Sequence, residues 1–497
     1  MNAEEFRKYG HTLIDWLADY RSGIADRPVQ ASTQPGEVRA LLPRSPPGHP
    51  EPFDAVIADL DAVVLPHLTH WQHPAFFGYY PANNSLAGVL GDLVSTGLGV
   101  LGLSWQSSPA VTEIEEVVVD WYRQMVGLST GWVGVINDTA STSTLVSLIS
   151  ARERASEYGL ARSGLQGESR RLLVYASAGA HSSVEKGALL AGFGRENIRM
   201  VPLDDKQAMR TSELKRMIEA DLASGYCPCA VVACVGGTAT ASIDPVSEIA
   251  NIVRDYGLWF HVDAAMAGAA MILPECRWMW EGIEGADSVV INAHKWLGAP
   301  FDCSLYYVHD EENLLRVMST NPSYLQSSVD GQVRNLRDTG IPLGRRFRAL
   351  KMWFLIREQG VSGLQSRLRR DISNAKALEA KVAATSGWKV LAPVELQTVC
   401  VRYEPHGFNA DFLDQYTRAW AEDLNQSGKG FLTPATISGR WMVRVSIGSL
   451  ETDAKDVDAI GTPCSGMRMH DSNDMPVTKH IKRQLEMQNM RSGHFLL

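Results

Sequence analysis

Two apolar segments of the sequence end in side chains that could do chemistry together. Residues 288–291 form a largely apolar run that is typical of a buried strand, and Lys295 follows it in the segment NAHKWL. Desolvation at a strand end lowers the pKa of a lysine and makes its amine nucleophilic, as the covalent binding of an aldehyde requires. A second strand-like run, residues 258–262, leads directly into Asp263. The sequence therefore offers an amine and a carboxylate at two strand ends.

A lysine and a carboxylate in this arrangement are what a pyridoxal phosphate (PLP) site needs. The lysine binds the aldehyde of the cofactor, and the acid keeps its pyridine nitrogen protonated. Open α/β sheets bind ligands outside the carboxyl ends of their strands, where both residues are expected to lie. The alternative interpretation for each residue alone is that Lys295 and Asp263 cap helices.

A hydroxyl-rich segment, residues 138–144, precedes the apolar run Leu145–Ile149 and predicts the start of a helix. Free backbone N–H groups and the helix dipole make such a start suitable for binding a phosphate. The alternative is ordinary capping of the helix by Thr139 or Ser141.

Two further loops follow predicted strands in the same way. His181 follows the run Leu172–Tyr175, where an imidazole could stack on a flat ring or act as a base, although a helix cap is the commoner role. Gly236 and Gly237 precede Thr238 after the run Ala230–Cys234, so the backbone could approach a ligand closely or form a simple tight turn.

Aromatic residues cluster between residues 71 and 81. Trp71, Tyr79 and Tyr80 could line a pocket for an aromatic substrate together with Pro81. They could equally form the core against which an N-terminal segment packs, which is the commoner fate of such residues.

Composition excludes several classes of function. The 497 residues are 45% hydrophobic and carry a net charge of −9, which gives no positive field for nucleic acid. The short basic segment Arg345–Arg348 favours pairing with phosphates, carboxylates or an interface. No run of 18 apolar residues predicts a membrane span, and the N-terminal sequence does not resemble a signal peptide. Seven scattered cysteines favour reduced thiols and a cytoplasmic protein, and no motif indicates a metal.

The order of patterns predicts the organisation of the chain. Helices are expected at 4–22 and 54–65, with an extended connection between them, and strands alternate with helices from residue 86 onward. Alternation of this kind favours an α/β fold with a mostly parallel sheet covered by helices on both faces. We expect an N-terminal arm at 1–85 that packs on a partner subunit, a large α/β domain at 86–365, a smaller α+β domain at 366–460 and a poorly ordered tail at 461–497.

Several ordered segments resemble the group II PLP-dependent amino-acid decarboxylases, and aromatic-L-amino-acid decarboxylases most closely. The resemblance covers roughly residues 4–455 and rests on HWQHPAFFGYYPANNS, SWQSSPAVTEIEEVVVDWY, DTASTSTLVSLISARE, AHSSVEKGALLAG, HVDAAMAG, NAHKWL, FDCS and IPLGRRFRALKMWF. It implies the PLP-dependent transferase fold type I, similar to aspartate aminotransferase, and a homodimer. It also implies a small-molecule amino-acid substrate.

The resemblance assigns roles residue by residue. Lys295 corresponds to the lysine that binds the cofactor, Asp263 to the partner of the pyridine nitrogen, and His181 to the residue that stacks on the ring near the substrate carboxylate. The remaining cofactor contacts fall on Ala140, Ser141, Thr238, Ala265, Asn292 and His294. Substrate contacts fall on Trp71, Tyr79, Tyr80 and Pro81, with Leu101 and Leu103 reaching in from the partner subunit.

The sequence departs from the family pattern at one chemically important position. The family places a tyrosine before the IPLGRRF segment, where it protonates the carbon that has lost CO₂, but this chain has Leu336 there. Loss of that hydroxyl is associated in the family with oxygen capture and release of an aldehyde and ammonia. Tyr324 or a partner residue could substitute for it. Ala82 and Leu103 also replace residues that are usually more polar or aromatic, which favours tryptophan and phenylalanine over tyrosine and dihydroxyphenylalanine.

Three functions are therefore open at this point. The first is decarboxylation of an aromatic L-amino acid to its amine and CO₂. The second is oxygen-dependent decarboxylation and deamination to an aromatic aldehyde, for which Leu336 is the reason. The third is a weakly active paralogue that binds PLP, against which the presence of Lys295, Asp263 and His181 argues.

Overall fold

A computed structural model describes residues 1–320 and 322–466. Contacts divide the chain into two units. The larger unit comprises Ala82–Ser373 and Ala392–Thr398, and the smaller unit comprises Met1–Pro81, Asn374–Leu391 and the chain from Val399 onward. The boundaries between these units fall at residues 81 and 373, close to residues 85 and 365. The domain boundaries predicted from the sequence stay predictions.

The described residues form helices and strands in both units, and the two kinds of element alternate through the larger one. The helices are α1 Ala3–Ser22, α2 Glu37–Leu41, α3 Phe53–Asp59, α4 Leu86–Leu98, α5 Pro109–Val126, α6 Ala140–Ala155, α7 Leu160–Ser163, α8 Ser182–Leu190, α9 Thr211–Ala223, α10 Val246–Tyr256, α11 Glu311–Met318, α12 Ala349–Ala383, α13 Ala410–Gln426 and α14 Ala454–Gly466. The strands are β1 Val133–Asn137, β2 Leu172–Ser177, β3 Ile198–Val201, β4 Cys227–Cys234, β5 Trp259–Asp263, β6 Ser288–Asn292, β7 Ser304–Val308, β8 Trp388–Val390, β9 Thr398–Tyr403, β10 Thr433–Ile437 and β11 Arg440–Ser446.

The sheet of the larger unit has the strand order β1-β7-β6-β5-β4-β2-β3. Strand β7 runs antiparallel to both of its neighbours, and the remaining neighbouring pairs are parallel. Every residue of β2, β5, β6 and β7 is buried, so both faces of the sheet are covered. Apart from β7, the strands therefore end at the same edge of the sheet. The predicted mostly parallel α/β fold is confirmed.

The smaller unit contains a second sheet with the order β10-β11-β9-β8. The pairs β10–β11 and β8–β9 are antiparallel, and α13 packs on β11. This is the predicted α+β architecture. The sequence predicts strands at residues 397–403 and 440–447, because both segments have alternating apolar residues, and strands β9 and β11 lie close to them.

Several predicted boundaries differ from the structure. The connection predicted as extended contains helix α2, and the helix predicted to run to residue 65 ends as α3 at Asp59 before a π turn, Leu60–Val64. Helix α14 crosses the predicted boundary at residue 460, and residues 467–497 of the predicted tail lie outside the described residues. Within the described part of the chain, no helix is long and apolar enough to cross a membrane.

Candidate active site

Lys295 lies just beyond the carboxyl end of β6. It sits in a single π turn, Ala293–Leu297, where its φ of −100° and ψ of −114° are not helical. Its side chain is half-buried. The side-chain amide of Asn83 donates a hydrogen bond of 3.0 Å to the carbonyl oxygen of Lys295. The main chain at the lysine is thus held from a segment that precedes α4.

His294 precedes the lysine and is buried. Its Nδ1 accepts the backbone N–H of Cys303 at 2.9 Å. Burial, together with the positive charge of Lys295, lowers the pKa of His294 to about 4. The ring is therefore neutral at pH 7, and because Nδ1 accepts a hydrogen bond, Nε2 carries the proton and can donate it to a ligand oxygen.

Asp263 is the last residue of β5, beside β6, and is also buried. Its Oδ1 accepts the backbone N–H of Ala265 at 3.0 Å, which orients the carboxylate. The carbonyl oxygen of Ala265 in turn accepts the N–H of Asn292 at 3.0 Å. The ends of β5 and β6 are therefore joined beyond the sheet, and Ala265 is fixed between the two.

His181 follows β2 and caps helix α8. Its Nδ1 accepts the backbone N–H of Ser183 at 3.1 Å and lies 2.8 Å from the Ser183 hydroxyl. The surrounding protein atoms lower the pKa of His181 although solvent still reaches the ring, Asp263 opposes this shift, and the charge of Lys295 adds to it. These effects bring His181, Asp263 and Lys295 into one electrostatic cluster, and the cap interpretation is correct as well.

The first turn of α6 provides a place for an anion. Thr139 stands at the N-cap, yet its side chain makes no capping hydrogen bond among the described residues. The N–H groups at Ala140 and Ser141 begin the helix and have no partner within it. The capping alternative is therefore wrong for the Thr139 side chain, and Ser141 lies inside the helix rather than at its cap.

The loop after β4 lies so close to neighbouring residues that its two glycines leave no room for a side chain. A Cβ on Gly236, whose φ is +88°, would lie 2.6 Å from the Cβ of Ala267, and a Cβ on Gly237 would lie 2.5 Å from the Ser242 hydroxyl. Both glycine N–H groups donate to the carbonyl oxygen of Ser242, so the tight-turn interpretation is confirmed. The turn leaves Thr238 exposed to solvent.

The predicted substrate residues are divided between the two units. In the smaller unit Trp71 stacks on Tyr79 with ring centroids 5.6 Å apart, and both rings are exposed. Phe76 and Phe431 lie beneath them and are stacked 5.1 Å apart. Tyr80 is half-buried and Pro81 is buried. In the larger unit Leu101 is exposed and Leu103 is half-buried.

Leu336 lies in a short 3-10 turn, Leu336–Thr339, and its side chain is 0% exposed. The next residue, Arg337, donates its backbone N–H to the carbonyl oxygen of Leu103 at 3.1 Å. The side chain of Tyr324, the suggested substitute, lies outside the described residues. Position 336 itself offers no proton donor.

The sequence did not identify several residues that support the site. Asn83 contacts the carbonyl oxygen of Lys295 from a segment 212 residues away, and the backbone of Cys303 contacts the His294 ring from nine residues further along the chain. Local sequence patterns do not indicate either contact. The basic segment Arg345–Arg348 was predicted to pair with phosphates, carboxylates or an interface, and the structure shows pairing with carboxylates. The guanidinium of Arg345 lies 2.7 Å from the carboxylate of Glu115, and that of Arg348 lies 2.9 Å from the carboxylate of Asp302.

The donor set fits PLP. The side-chain Oδ1 of Asn292 is buried and has no hydrogen-bond partner among the described residues, as expected for a group that a ligand satisfies. A helix start suits the phosphate, a buried carboxylate suits the pyridine nitrogen, and a half-buried lysine suits the aldehyde. These residues follow different strands of one mostly parallel sheet, which is the arrangement of a PLP-dependent enzyme of fold type I.

Comparison with known proteins agrees with this class. The family model described as the pyridoxal-dependent decarboxylase conserved domain matches residues 35–404. Phenylacetaldehyde synthase from Arabidopsis thaliana is 39% identical over 92% of this chain and 94% of its own length. Aromatic-L-amino-acid decarboxylase from Bos taurus is 39% identical over 90% of this chain and 92% of its own length.

A solved structure shows the same fold. Oryza sativa TDC with PLP and tryptamine has a TM-score of 0.90 and 35% identity, covering 94% of this chain and 99% of that one. This chain belongs to the pyridoxal-dependent decarboxylase family. It is a PLP-dependent carboxy-lyase, and its relatives comprise aromatic amino-acid decarboxylases and aldehyde synthases.

Proposed function

We propose that the chain decarboxylates an aromatic L-amino acid to the corresponding amine and CO₂. The observation that carries the proposal is the position of His181, Asp263 and Lys295, which follow or end the parallel strands β2, β5 and β6 of the larger unit at the same edge of the sheet. A buried carboxylate and a half-buried amine have charges that a ligand can use, since solvent screens them little.

Each of these residues has a role in the proposal. Lys295 binds the aldehyde of the cofactor and afterwards carries protons at its Nζ. Asp263 keeps a proton on the pyridine nitrogen, and the Nε2–H of His294 and the first turn of α6 hold the phosphate. Bound PLP supplies an electron-poor ring that accepts the electron pair left behind when CO₂ departs.

His181 is proposed to lie near the substrate carboxylate. Its lowered pKa keeps the imidazole neutral at pH 7, so it does not form a full ion pair with that carboxylate. A neutral neighbour stabilises the substrate carboxylate in the ground state less than a cation would, and this favours the loss of CO₂, which leaves as an uncharged molecule.

The aromatic substrate class is supported by the exposed and stacked rings of Trp71 and Tyr79. Stacked aromatic side chains bind flat apolar rings through dispersion and edge–face contacts. Ala82 and Leu103 add no hydroxyl for a phenolic substrate, and an apolar pocket discriminates only weakly. We infer a preference for tryptophan and phenylalanine over tyrosine and dihydroxyphenylalanine.

A second candidate function is favoured by Leu336. With no proton donor at this position, molecular oxygen could take two electrons at the carbon that has lost CO₂. The amino acid, O₂ and water then give an aromatic aldehyde, CO₂, ammonia and hydrogen peroxide. The likeness to phenylacetaldehyde synthase supports this candidate as much as the likeness to aromatic-L-amino-acid decarboxylase supports the first.

A homodimer forms part of the proposal. Helix α4 leaves a row of leucines exposed, including Leu86 at 54% and Leu98 at 59%, and Leu101 nearby is exposed at 58%. A contiguous apolar face of this kind marks an interaction surface, and a second copy of the chain is the partner we infer. Leu101 would then contribute to the partner's site.

Product analysis tests the proposal. The PLP-loaded protein is incubated in air with tryptophan or phenylalanine, and products are identified by mass spectrometry while an electrode records dissolved oxygen. Amine without oxygen uptake is the expected result. Aldehyde formed with oxygen uptake would establish the second function instead, and CO₂ release from neither amino acid would overturn both.

A further inference from the structure

A buried carboxylate outside the roles described above lies behind two of the active-site loops. Asp244, in the connection between β4 and α10, is 1% exposed. Burial raises its pKa to about 6, so the group is still ionised at pH 7. Retaining a charge where a neutral side chain would cost less suggests that both of its oxygens are needed as acceptors.

The carboxylate of Asp244 connects three segments. Its Oδ2 accepts the backbone N–H of Cys234 at 2.7 Å, and its Oδ1 accepts the N–H of Met209 at 2.7 Å. The Ser177 hydroxyl lies 3.5 Å from Oδ1. In addition, the backbone N–H of Asp244 donates to the carbonyl oxygen of Cys234 at 2.9 Å.

Two of these segments lead into the site. Ser177 is the last residue of β2, and the chain continues from it to His181. Cys234 is the last residue of β4, and the chain continues from it to Thr238.

We propose that Asp244 is a positioning residue that fixes the loops bearing His181 and Thr238 in the geometry that holds the cofactor. The inference rests on the roles proposed above for those two residues. Asp244 acts through the Ser177 hydroxyl at the end of β2 and the backbone N–H of Cys234 at the end of β4, and not through direct contact with the cofactor. Its hydrogen bonds hold the ends of β2 and β4 in place, and this restricts the positions that the loops following these strands can adopt.

The test is the substitution Asp244→Asn. An amide keeps the shape of the side chain but replaces one accepting oxygen with a donor, so one buried N–H loses its partner. We expect the dissociation constant of PLP from the variant to rise by about tenfold or more. Hydrogen–deuterium exchange of the apo protein should accelerate in residues 178–184 and 235–243 and stay unchanged in the remaining sheet.

Asp221→Asn is the matched control. Asp221 is also buried and accepts the Tyr175 hydroxyl at 2.8 Å from β2, but it contacts neither loop. We expect this variant to keep the wild-type affinity for PLP and the wild-type exchange in both loops. If Asp244→Asn does not fold, Ser177→Ala removes the weakest of the contacts and should raise the same dissociation constant a few-fold.

The inference is overturned if Asp244→Asn folds with the wild-type PLP affinity and loop exchange, or if Asp221→Asn shows the same losses. It is also overturned if Ser177→Ala, used in its place, leaves both quantities unchanged. Cofactor affinity and exchange do not require turnover of any amino acid. Wild-type protein that binds PLP but releases no CO₂ would therefore refute the proposed function and leave this inference to be judged separately.

Discussion

The ends of β5 and β6 and the segment 326–340 both belong to the larger unit, but they are held in place by different means. At the strand ends, Asp263 and Asn292 are paired within the sheet and tied together again through Ala265. The segment 326–340 is held mainly by side-chain contacts, such as the 2.7 Å hydrogen bond from Arg334 to the carbonyl oxygen of Gly134.

This difference separates two aspects of the chemistry. The groups proposed to bind the cofactor stand on a hydrogen-bonded sheet, where geometry is fixed to fractions of an ångström. Leu336, which we propose to influence the product, stands in an irregular segment outside the sheet. We therefore infer that the strand ends determine whether CO₂ is lost and that position 336 influences what happens afterwards.

The largest effect should follow Lys295→Ala, which removes the amine that binds the aldehyde. We expect decarboxylation to fall by roughly 10³-fold or more and the visible absorbance band of the PLP-loaded protein to disappear. Absorbance spectra and CO₂ release measure both effects. Lys186→Ala, on the exposed face of α8, is the control and should change neither. Persistence of the band in Lys295→Ala would place the attachment elsewhere.

Asp263→Asn should give the next largest effect. The amide preserves the shape of the side chain but cannot hold a proton on the pyridine nitrogen by charge, so we expect kcat to fall by about 10²-fold. Steady-state kinetics with the better of tryptophan and phenylalanine provide the measurement. An unchanged kcat would mean that another group supplies the negative charge.

The inferred influence of the segment 326–340 on the product is tested at position 336. Leu336→Tyr restores a hydroxyl, and Leu336→Phe adds similar bulk without one, so any cost of overpacking is shared by both variants. We expect the tyrosine variant to consume about tenfold less oxygen per CO₂ released than the phenylalanine variant. Equal oxygen consumption by the two would show that position 336 does not control the product.

The smallest effect concerns the stability of the sheet beneath the site. His261 is fully buried on β5, and burial lowers its pKa from 6.5 to about 4. The unfolded state therefore binds more protons between pH 6.5 and pH 4, so this residue costs the fold stability as the pH falls through that range. His261→Gln should reduce the loss of unfolding free energy between pH 7 and pH 5 by about 2 kcal/mol.

Urea unfolding at the two pH values measures this loss. His294, whose pKa is also lowered to about 4, remains in the variant and should keep part of the pH dependence. Activity at pH 7 should be nearly unchanged by His261→Gln. An identical loss of stability in wild type and variant would show that His261 is not held neutral in the fold.

Local patterns were sufficient for much of the fold and for the residues at the strand ends. Apolar runs before Asp263 and Lys295 predicted β5 and β6, because a strand buried on both faces needs continuous apolar sequence. Strand β3 was missed because it has only four residues and one of them is Arg199, and β1 was missed because Gly134 interrupts its pattern. The antiparallel direction of β7 depends on strand pairing, which the pattern of one segment does not contain.

The supporting contacts were beyond local patterns for the same reason. Asn83 meets the carbonyl oxygen of Lys295 across 212 residues of sequence, and the Asp244 carboxylate joins strand ends that only the folded sheet brings together. Leu336 was recognised as a departure from the family, but its burial depends on packing around the segment 326–340. Residue types thus indicate the chemistry, while the supporting geometry emerges only from the three-dimensional structure.

The attachment site of the cofactor is the most direct test of the account. The PLP-loaded protein is reduced with borohydride, which makes the bond between cofactor and lysine permanent, and is then digested and examined by mass spectrometry. The account predicts that the peptide containing NAHKWL carries the pyridoxyl group on Lys295. A label on any other lysine, or no labelled peptide from protein that binds PLP, would contradict it.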